Sequence, residues 1–203
     1  MAAVFPSPGR PEMVLVMTEH APHLTTRTAP RPWLARRWPS ALALPVVALS
    51  VWGMADGRDV AFVVVLAGVC YLVAAMIGRP ASAWWIAVLG SIPVTAAMLL
   101  DVDSSIMLFA VAVAALLVAA TRRFAGLGAQ AGAALGFGLI APLALATGPT
   151  VGGLLVAGGL LGHAAWDAYH HRVNRVVTRS YAEWCGVVDA LLGLAVLLVV
   201  LAS

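Results

Sequence analysis

The sequence predicts an all-α, polytopic transmembrane helix bundle of about seven spans. Hydrophobic residues make up 62% of the chain and charged residues only 10%, whereas a soluble globular domain carries roughly 25% charged residues. The aliphatic residues come in blocks, several of them close to the roughly 20 residues that an α-helix needs to cross about 30 Å of hydrocarbon. A soluble core built from so many apolar helices would have no wettable outer face. These observations exclude an ordinary soluble protein.

The first 38 residues differ from the rest of the chain. Residues 1–38 contain six prolines and five arginines, so we expect a disordered, basic, cytoplasmic tail and no folded domain there. The apolar stretch at residues 13–17 is too short for a secretory signal, and Met13 and Met17 are alternative starts of translation. The seven-span transmembrane domain is expected to occupy residues 39–203.

We predict seven membrane-spanning helices, each an apolar block between polar or glycine-rich segments. Prolines inside some of these blocks are tolerated where neighbouring helices satisfy the freed backbone groups. The predicted spans are residues 38–54, 60–77, 81–100, 105–120, 124–146, 151–169 and 184–202.

The arginines predict the orientation of the chain. All 12 basic residues are arginines, a bias that suggests a GC-rich bacterial genome. With the tail inside and seven spans, only Arg58 falls in an outer loop, between Asp56 and Asp59. Basic residues accumulate on the cytoplasmic side of membrane proteins, so we predict a multi-pass protein of a bacterial plasma membrane, N-terminus inside and C-terminus outside. Membrane lipids are the expected partners and nucleic acid is not.

Glycines concentrate on the fifth and sixth predicted spans. Gly128, Gly132 and Gly136 form a repeated G-x-x-x-G motif, and the sixth span carries several more glycines. Small residues at this spacing let helix backbones approach closely. The pattern favours intramolecular packing of neighbouring spans, and a homo-oligomer through the glycine-rich faces is the alternative.

One segment, residues 163–189, concentrates the polar chemistry of the apolar region. Three of the five histidines lie there, together with the two acidic residues predicted near bilayer depth, Asp167 and Asp189. At about 100° per residue, Asp167 lies about 40° round the helix from His163, and His170 about 20° the other way. These three side chains share one stripe. Asp189 lies on the next span, which starts on the same side of the membrane, so it can face that stripe.

The stripe is a candidate metal site. An ionisable side chain within a transmembrane helix costs about 2.5–3.5 kcal/mol and usually faces the bundle interior with a partner. Imidazole and carboxylate together suit zinc, iron or manganese, and Glu183 is the candidate general base at the mouth of the site. Cys185 is either a further ligand or a packing residue. The predicted ligands are His163, Asp167, His170, His171 and Asp189.

Two other interpretations of these residues stay open. Asp167 can accept hydrogen bonds from His163 or His170, which with Asp189 would make a purely structural polar cluster. The same residues can also relay protons or bind a transported cation. A stripe of this kind is a weaker signal than a complete metalloprotease H-E-x-x-H motif.

Arginines at the inner ends of the spans form a second candidate site. They are topology determinants that attract anionic lipid, or they bind a phosphate or carboxylate head group next to the polar stripe. Gln130, near the inner end of the fifth span, can contribute to such a site. The candidate head-group residues are Arg122, Arg123, Arg172, Arg175 and Arg179.

Two stretches carry a resemblance to known families. H-A-A-W-D-A-Y-H-H-R at residues 163–172, followed by Y-A-E-W-C-G-V-V-D at 181–189, resembles a signature of uncharacterised bacterial integral membrane proteins and implies no activity. More loosely, the chain is similar to the superfamily of progestin and adiponectin receptors, alkaline ceramidases and haemolysin III proteins. These are seven-span proteins with an intramembrane metal held by His and Asp, and many hydrolyse lipid amides. They gather ligands from well-separated helices, whereas the histidines here lie on one span, so no catalytic residue is carried over.

The function that these patterns favour is a metal-dependent, membrane-embedded enzyme acting on a lipid-like substrate at the cytoplasmic leaflet. The cofactor would be zinc, iron or manganese. A small proton- or cation-coupled transporter and a non-catalytic membrane scaffold are the alternatives. Histidine-box desaturases and hydroxylases need more histidines than this chain has.

Overall fold

The computed structural model describes residues 37–122 and 126–202, and its helices follow the apolar blocks of the sequence. The predicted all-α class is confirmed, since the described residues form seven α-helices and a short 3-10 helix, Gly57–Val60, with no strand. The predicted tail falls almost wholly outside the described residues, as does Arg123. The α-helices are α1 (Trp38–Val51), α2 (Ala61–Ile77), α3 (Ser82–Leu99), α4 (Ser104–Ala120), α5 (Leu127–Leu145), α6 (Pro149–Val173) and α7 (Arg179–Ala202).

Among the described residues, three helical segments are long and apolar enough to cross a membrane, namely Gly57–Ile77, Leu127–Leu145 and Arg179–Ala202. The apolar helices α1, α3 and α4 are shorter. At about 1.5 Å per residue, α1 spans about 21 Å, which is less than the roughly 30 Å of hydrocarbon in a bilayer. The three longer segments support a membrane location, and the count of seven spans stays a prediction.

The helices begin and end at residues whose chemistry explains the boundary. The side chain of Asp103 accepts a hydrogen bond from the backbone N–H of Ser105 at 2.7 Å and caps α4. Pro149 occupies the first turn of α6, where its missing N–H costs nothing. α2 ends at Gly78, which has a φ of 70°, and α6 ends at Asn174, with a φ of 50°. Glycine and asparagine tolerate this left-handed conformation best.

The connections between helices collect at two ends of this domain. At one end, Arg58 Nη1 donates a hydrogen bond to the backbone oxygen of Thr147 at 3.1 Å, which joins the start of α2 to the α5–α6 connection. At the other end, Gly78, Gly126 and Arg175 line one cavity, so the α2–α3, α4–α5 and α6–α7 connections meet there. Arg79, Arg122, Arg172, Arg175 and Arg179 lie in or beside these three connections, and this second end is called the arginine end below.

The glycines of α6 do permit close helix packing. A Cβ atom on Gly159 would lie 2.5 Å from Ile140 Cδ1 on α5, and one on Gly152 would lie 2.5 Å from the backbone oxygen of Ala144. A Cβ atom at Gly152 would force the backbones of α5 and α6 apart, whereas one at Gly159 would displace the end of the Ile140 side chain. The prediction of intramolecular packing is therefore confirmed for these two glycines.

The G-x-x-x-G repeat of α5 behaves differently. A Cβ atom on Gly128, Gly132 or Gly136 would meet no described atom within 4 Å. Within the described part of the chain, the prediction of intramolecular packing is therefore wrong for this repeat. The homo-oligomer alternative stays a prediction.

Candidate metal centre

The stripe predicted on α6 faces the interior of the protein. His163, Asp167 and His170 are each at most 2% exposed. α6 packs against α7 with Gly186 beside Asp167, where a Cβ atom on the glycine would lie 3.1 Å from Asp167 Cβ. The missing side chain at Gly186 lets the two helices approach closely enough for their polar groups to meet.

His163 joins the two carboxylates of this region. Its Nδ1 lies 2.7 Å from Asp189 Oδ2 on α7 and 3.2 Å from Asp167 Oδ2 on α6. Asp189 is completely buried. Asp189 thus faces the α6 stripe, as the sequence indicates.

Cys185 completes a group of four metal-binding side chains, called the polar cluster below. Its Sγ lies 3.8 Å from Asp189 Oδ2, one helical turn along α7, and its side chain is only 4% exposed. One ligand atom from each of four residues lies within 4.8 Å of the other three. The polar cluster consists of His163, Asp167, Cys185 and Asp189.

Tyr71 of α2 supports the polar cluster and is absent from the sequence prediction. Its hydroxyl donates a hydrogen bond to Asp167 Oδ1 at 2.5 Å, and its ring packs edge-on against the ring of His163 with centroids 5.3 Å apart. The hydroxyl fixes one carboxylate oxygen of Asp167 and leaves the other beside His163. A tyrosine in the middle of an apolar run needs a polar partner, and that signal could have identified it.

Two predicted ligands, His170 and His171, lie outside the polar cluster. His170 Nδ1 donates to the backbone oxygen of Trp166 at 3.0 Å, and its Nε2 lies 3.1 Å from Gln130 Nε2, from which it accepts a hydrogen bond. Both ring nitrogens of His170 therefore have partners. His171 is half-buried, and its backbone oxygen accepts a hydrogen bond from Arg179 Nε at 3.2 Å.

Glu183, the predicted general base, contacts α1 instead of the polar cluster. Its Oε1 accepts a hydrogen bond from Ser40 Oγ at 2.6 Å and forms an ion pair with Arg37 Nη1 at 3.3 Å. Six residues separate Glu183 from Asp189, which places them about 120° apart round the helix. The two carboxylates thus face different neighbours.

The four described head-group arginines do not converge on one cavity. Arg175 lines a cavity of about 730 Å³ together with Gln130 and His170. Arg122 lines a separate cavity of about 490 Å³. Arg172 and Arg179 are exposed, and Arg123 lies outside the described residues.

The chemistry of the polar cluster fits a divalent metal ion. Two carboxylates buried together are costly unless they are paired with cations, and one divalent ion would neutralise both. A tetrahedral zinc ion with bonds of about 2.0–2.1 Å places its nitrogen and oxygen ligands about 3.3 Å apart, close to the 3.2 Å between His163 Nδ1 and Asp167 Oδ2. The 2.7 Å between His163 Nδ1 and Asp189 Oδ2 is a hydrogen-bond distance that would lengthen around a metal ion. Asp189 Oδ1 and His163 Nε2 have no hydrogen-bond partner among the described residues.

A small cavity adjoins the polar cluster and lies beside a larger groove. The cavity, of about 40 Å³, is lined by Asp189 and Cys185, and this volume is enough for one water molecule. An apolar groove of about 430 Å³ shares Leu66, Trp184 and Val188 with the cavity lining. The apolar groove and the small cavity beside Asp189 are therefore neighbours.

No protein-family model, curated protein or solved structure matches the chain. The resemblances based on residues 163–172 and 181–189 stay predictions.

Proposed function

We propose that this chain is a multi-pass membrane protein that binds one divalent metal ion at the polar cluster and acts as an enzyme on a lipid-like substrate. The observation that carries the proposal is the convergence of four ligand atoms within 4.8 Å of one another. Their side chains are at most 4% exposed, and an unpaired charge at such a buried position costs much free energy. The arginine end supports an orientation with that end in the cytoplasm.

The ligand set favours zinc or iron among the divalent metals. Thiolate ligands such as Cys185 select soft or borderline metals, whereas a site of oxygen ligands alone suits magnesium, calcium or manganese. The hydroxyl of Tyr71 would orient the ligand Asp167 through its hydrogen bond to Oδ1. Partners of this kind fix a ligand and raise its affinity for the metal.

The surroundings of Asp189 support a catalytic role in addition to binding. A catalytic zinc site keeps one coordination position for water or substrate, and the cavity beside Asp189 and Cys185 has room for one water molecule. A bound metal would activate such a water or polarise a carbonyl group. Asp189 Oδ1 has no hydrogen-bond partner among the described residues, so we assign the proton-accepting role to Asp189 in place of Glu183, whose carboxylate is hydrogen-bonded to Ser40 of α1.

The apolar groove supports a lipid-like substrate. Its lining includes Leu42, Phe62 and Val88 at one side and Trp184 and Val188 where it meets the small cavity. A hydrocarbon chain lying in this groove would place its end beside Asp189. Substrate would then enter from the hydrocarbon phase of the membrane and not through the loops.

Elemental analysis of the detergent-purified protein tests the metal proposal. Wild type and the control variant His171→Gln should carry about one zinc or iron per chain, because His171 lies outside the polar cluster. His163→Gln and Asp189→Asn should lose it while keeping wild-type helix content by circular dichroism. An absence of metal from a well-folded wild type would overturn the proposal.

Lipid turnover tests the enzymatic part separately. Metal-loaded protein is incubated with a panel of acyl esters and acyl amides, and released fatty acid is measured by mass spectrometry. We expect release by wild type and the His171→Gln control, and none by Asp189→Asn, which is expected to carry no metal. A fully loaded wild type that turns over no member of the panel would contradict the enzymatic part and leave metal binding standing.

A proton- or cation-coupled transporter is the second candidate. The observation that favours it is that His163 Nδ1 lies within hydrogen-bond distance of both Asp167 and Asp189, with Tyr71 extending the network. A hydrogen-bonded series of ionisable side chains of this kind can pass protons between buried groups. In proteoliposomes, this alternative predicts flux driven by a pH gradient and abolished by Asp167→Asn. A protein with neither flux nor metal would be a non-catalytic scaffold.

A further inference from the structure

The cavity lined by Arg175 and Gln130, at the arginine end of the protein, is separate from the polar cluster. Its volume of about 730 Å³ falls within the range of small-molecule sites, about 300–1,000 Å³. α2, α5 and α6 supply mostly apolar walls, including Ala74, Ala129 and Val173. None of the described lining residues is acidic. The cavity combines apolar walls with a few polar groups, as ligand sites do.

Gln130 gives this cavity an unpartnered polar group. The side chain is only 5% exposed and lines the cavity. Because His170 Nδ1 donates to a backbone oxygen, His170 Nε2 must accept, and the amide nitrogen of Gln130 donates to it at 3.1 Å. Gln130 Oε1 is left without a donor in the part of the chain that the structure describes. A buried acceptor without a partner is costly, and a ligand hydroxyl would satisfy it.

Two positive features face the same cavity. Arg175 lies in its lining, in the α6–α7 connection. The N-terminus of α5 lies there too, since Gly126 and Ala129 line the cavity, and no side chain of the described residues caps the helix. The first N–H groups of a helix have no intrahelical partner and carry the positive end of its dipole, so they attract anions.

We infer that this cavity binds a single-chain amphiphile that carries a phosphate or carboxylate head group with a hydroxyl beside it. The anionic group would bind Arg175 and the N-terminus of α5, the hydroxyl would donate to Gln130 Oε1, and the hydrocarbon would lie against the alanine and valine walls. The site goes beyond the proposed metal function and does not depend on it. Tyr71 is the link between the two, because its ring contacts the ring of His170 at 4.8 Å between centroids while its hydroxyl binds Asp167.

Equilibrium binding to the delipidated full-length protein, measured by native mass spectrometry, tests the inference with three probes. Oleoyl lysophosphatidate should bind saturably, with one molecule per chain. Monooleoylglycerol has the same chain and carries a hydroxyl in place of the phosphate, and it should bind at least about tenfold more weakly because the charge-assisted contacts are lost. Equal binding of the two lipids would overturn the inference. Inorganic phosphate that binds as tightly as the lysolipid and displaces it would mean a soluble-anion site, which overturns the amphiphile assignment.

Matched variants place the ligand in the cavity. Arg175→Gln and Gln130→Leu should each weaken lysophosphatidate binding about tenfold, whereas Arg172→Gln, which removes an exposed arginine three residues from Arg175, should leave it unchanged. Arg175 is exposed, so its variant remains informative if Gln130→Leu fails to fold. Wild-type affinity in Arg175→Gln would overturn the inference. His163→Gln should bind the lysolipid normally, which separates this site from the metal proposal.

Discussion

Replacing Tyr71 by phenylalanine is the smallest change that tests whether the polar cluster is built to hold a metal. Tyr71 is 1% exposed, and its hydroxyl donates to Asp167 Oδ1. Phenylalanine keeps the ring, and with it the edge-on contacts to His163 and His170. The substitution therefore removes one hydrogen bond to a ligand and creates only a very small cavity.

The expected loss follows from that single contact. A hydrogen bond to a charged group contributes about 1.5–3 kcal/mol, and about 1.4 kcal/mol corresponds to a tenfold change in affinity. Tyr71→Phe should thus weaken metal binding about 10- to 150-fold. Loss of an orienting partner of a metal ligand typically weakens affinity about 10- to 100-fold, which agrees with this range.

Competition with a chromophoric chelator measures the affinity of the detergent-purified protein for zinc. Tyr169→Phe is the matched control, because Tyr169 is 56% exposed and lies on the same helix as Asp167 without contacting it. We expect the control to bind zinc like wild type. If Tyr71→Phe also binds zinc like wild type, the hydroxyl does not orient a metal ligand and the reasoning is refuted.

Three further changes test other parts of the structure. Gly186→Ala should lower zinc affinity with little loss of helix content, because its new Cβ would lie 3.1 Å from Asp167 Cβ and move that ligand; unchanged affinity would contradict this. Gly132→Leu should change the free energy of unfolding of the monomer by no more than about 0.5 kcal/mol, since no described atom lies within 4 Å of a Cβ atom at Gly132. It should also reduce any dimer seen by light scattering. An unaltered dimer would exclude this helix face as the dimer interface. The ion pair with Arg58 lowers the pKa of Asp56, so Asp56 contributes stability at neutral pH that is lost as pH falls below about 4. In Asp56→Asn, the melting temperature should therefore depend less on pH over that acid range than it does in wild type. An unchanged pH profile would contradict this expectation.

The helices could be predicted from the sequence because apolar blocks of nearly membrane-spanning length leave few alternatives. The sequence predicts the polar ends of the last two helices less accurately than their apolar parts. Residues 151–169 and 184–202 were predicted, whereas the structure has Pro149–Val173 and Arg179–Ala202. Hydropathy marks where a membrane core would end, but a helix continues beyond it when polar side chains find partners. His170 and His171 are therefore helical, and the connection is short.

The candidate site was predicted in part. The angular position of His163 and Asp167 on one helix face follows from helical geometry, and both belong to the polar cluster. The same angle misplaced His170, because seven residues along a helix separate it from His163 by about 10.5 Å in the axial direction. His170 therefore contacts Gln130 and is too far along the helix to share one metal ion with His163. Tyr71 is 92 positions earlier in the chain than His163, and only the tertiary packing of α2 against α6 brings it to Asp167.

X-ray absorption spectroscopy of the zinc-loaded protein tests the central claim most directly, because it reports both the metal and the ligands around it. The polar cluster predicts nitrogen and oxygen neighbours at about 2.0–2.1 Å and one sulfur at about 2.3 Å. The sulfur should disappear in Cys185→Ser and persist in Cys70→Ser, the other buried cysteine. A spectrum of six oxygen neighbours without sulfur, identical in wild type and His163→Gln, would show adventitious metal and contradict the account.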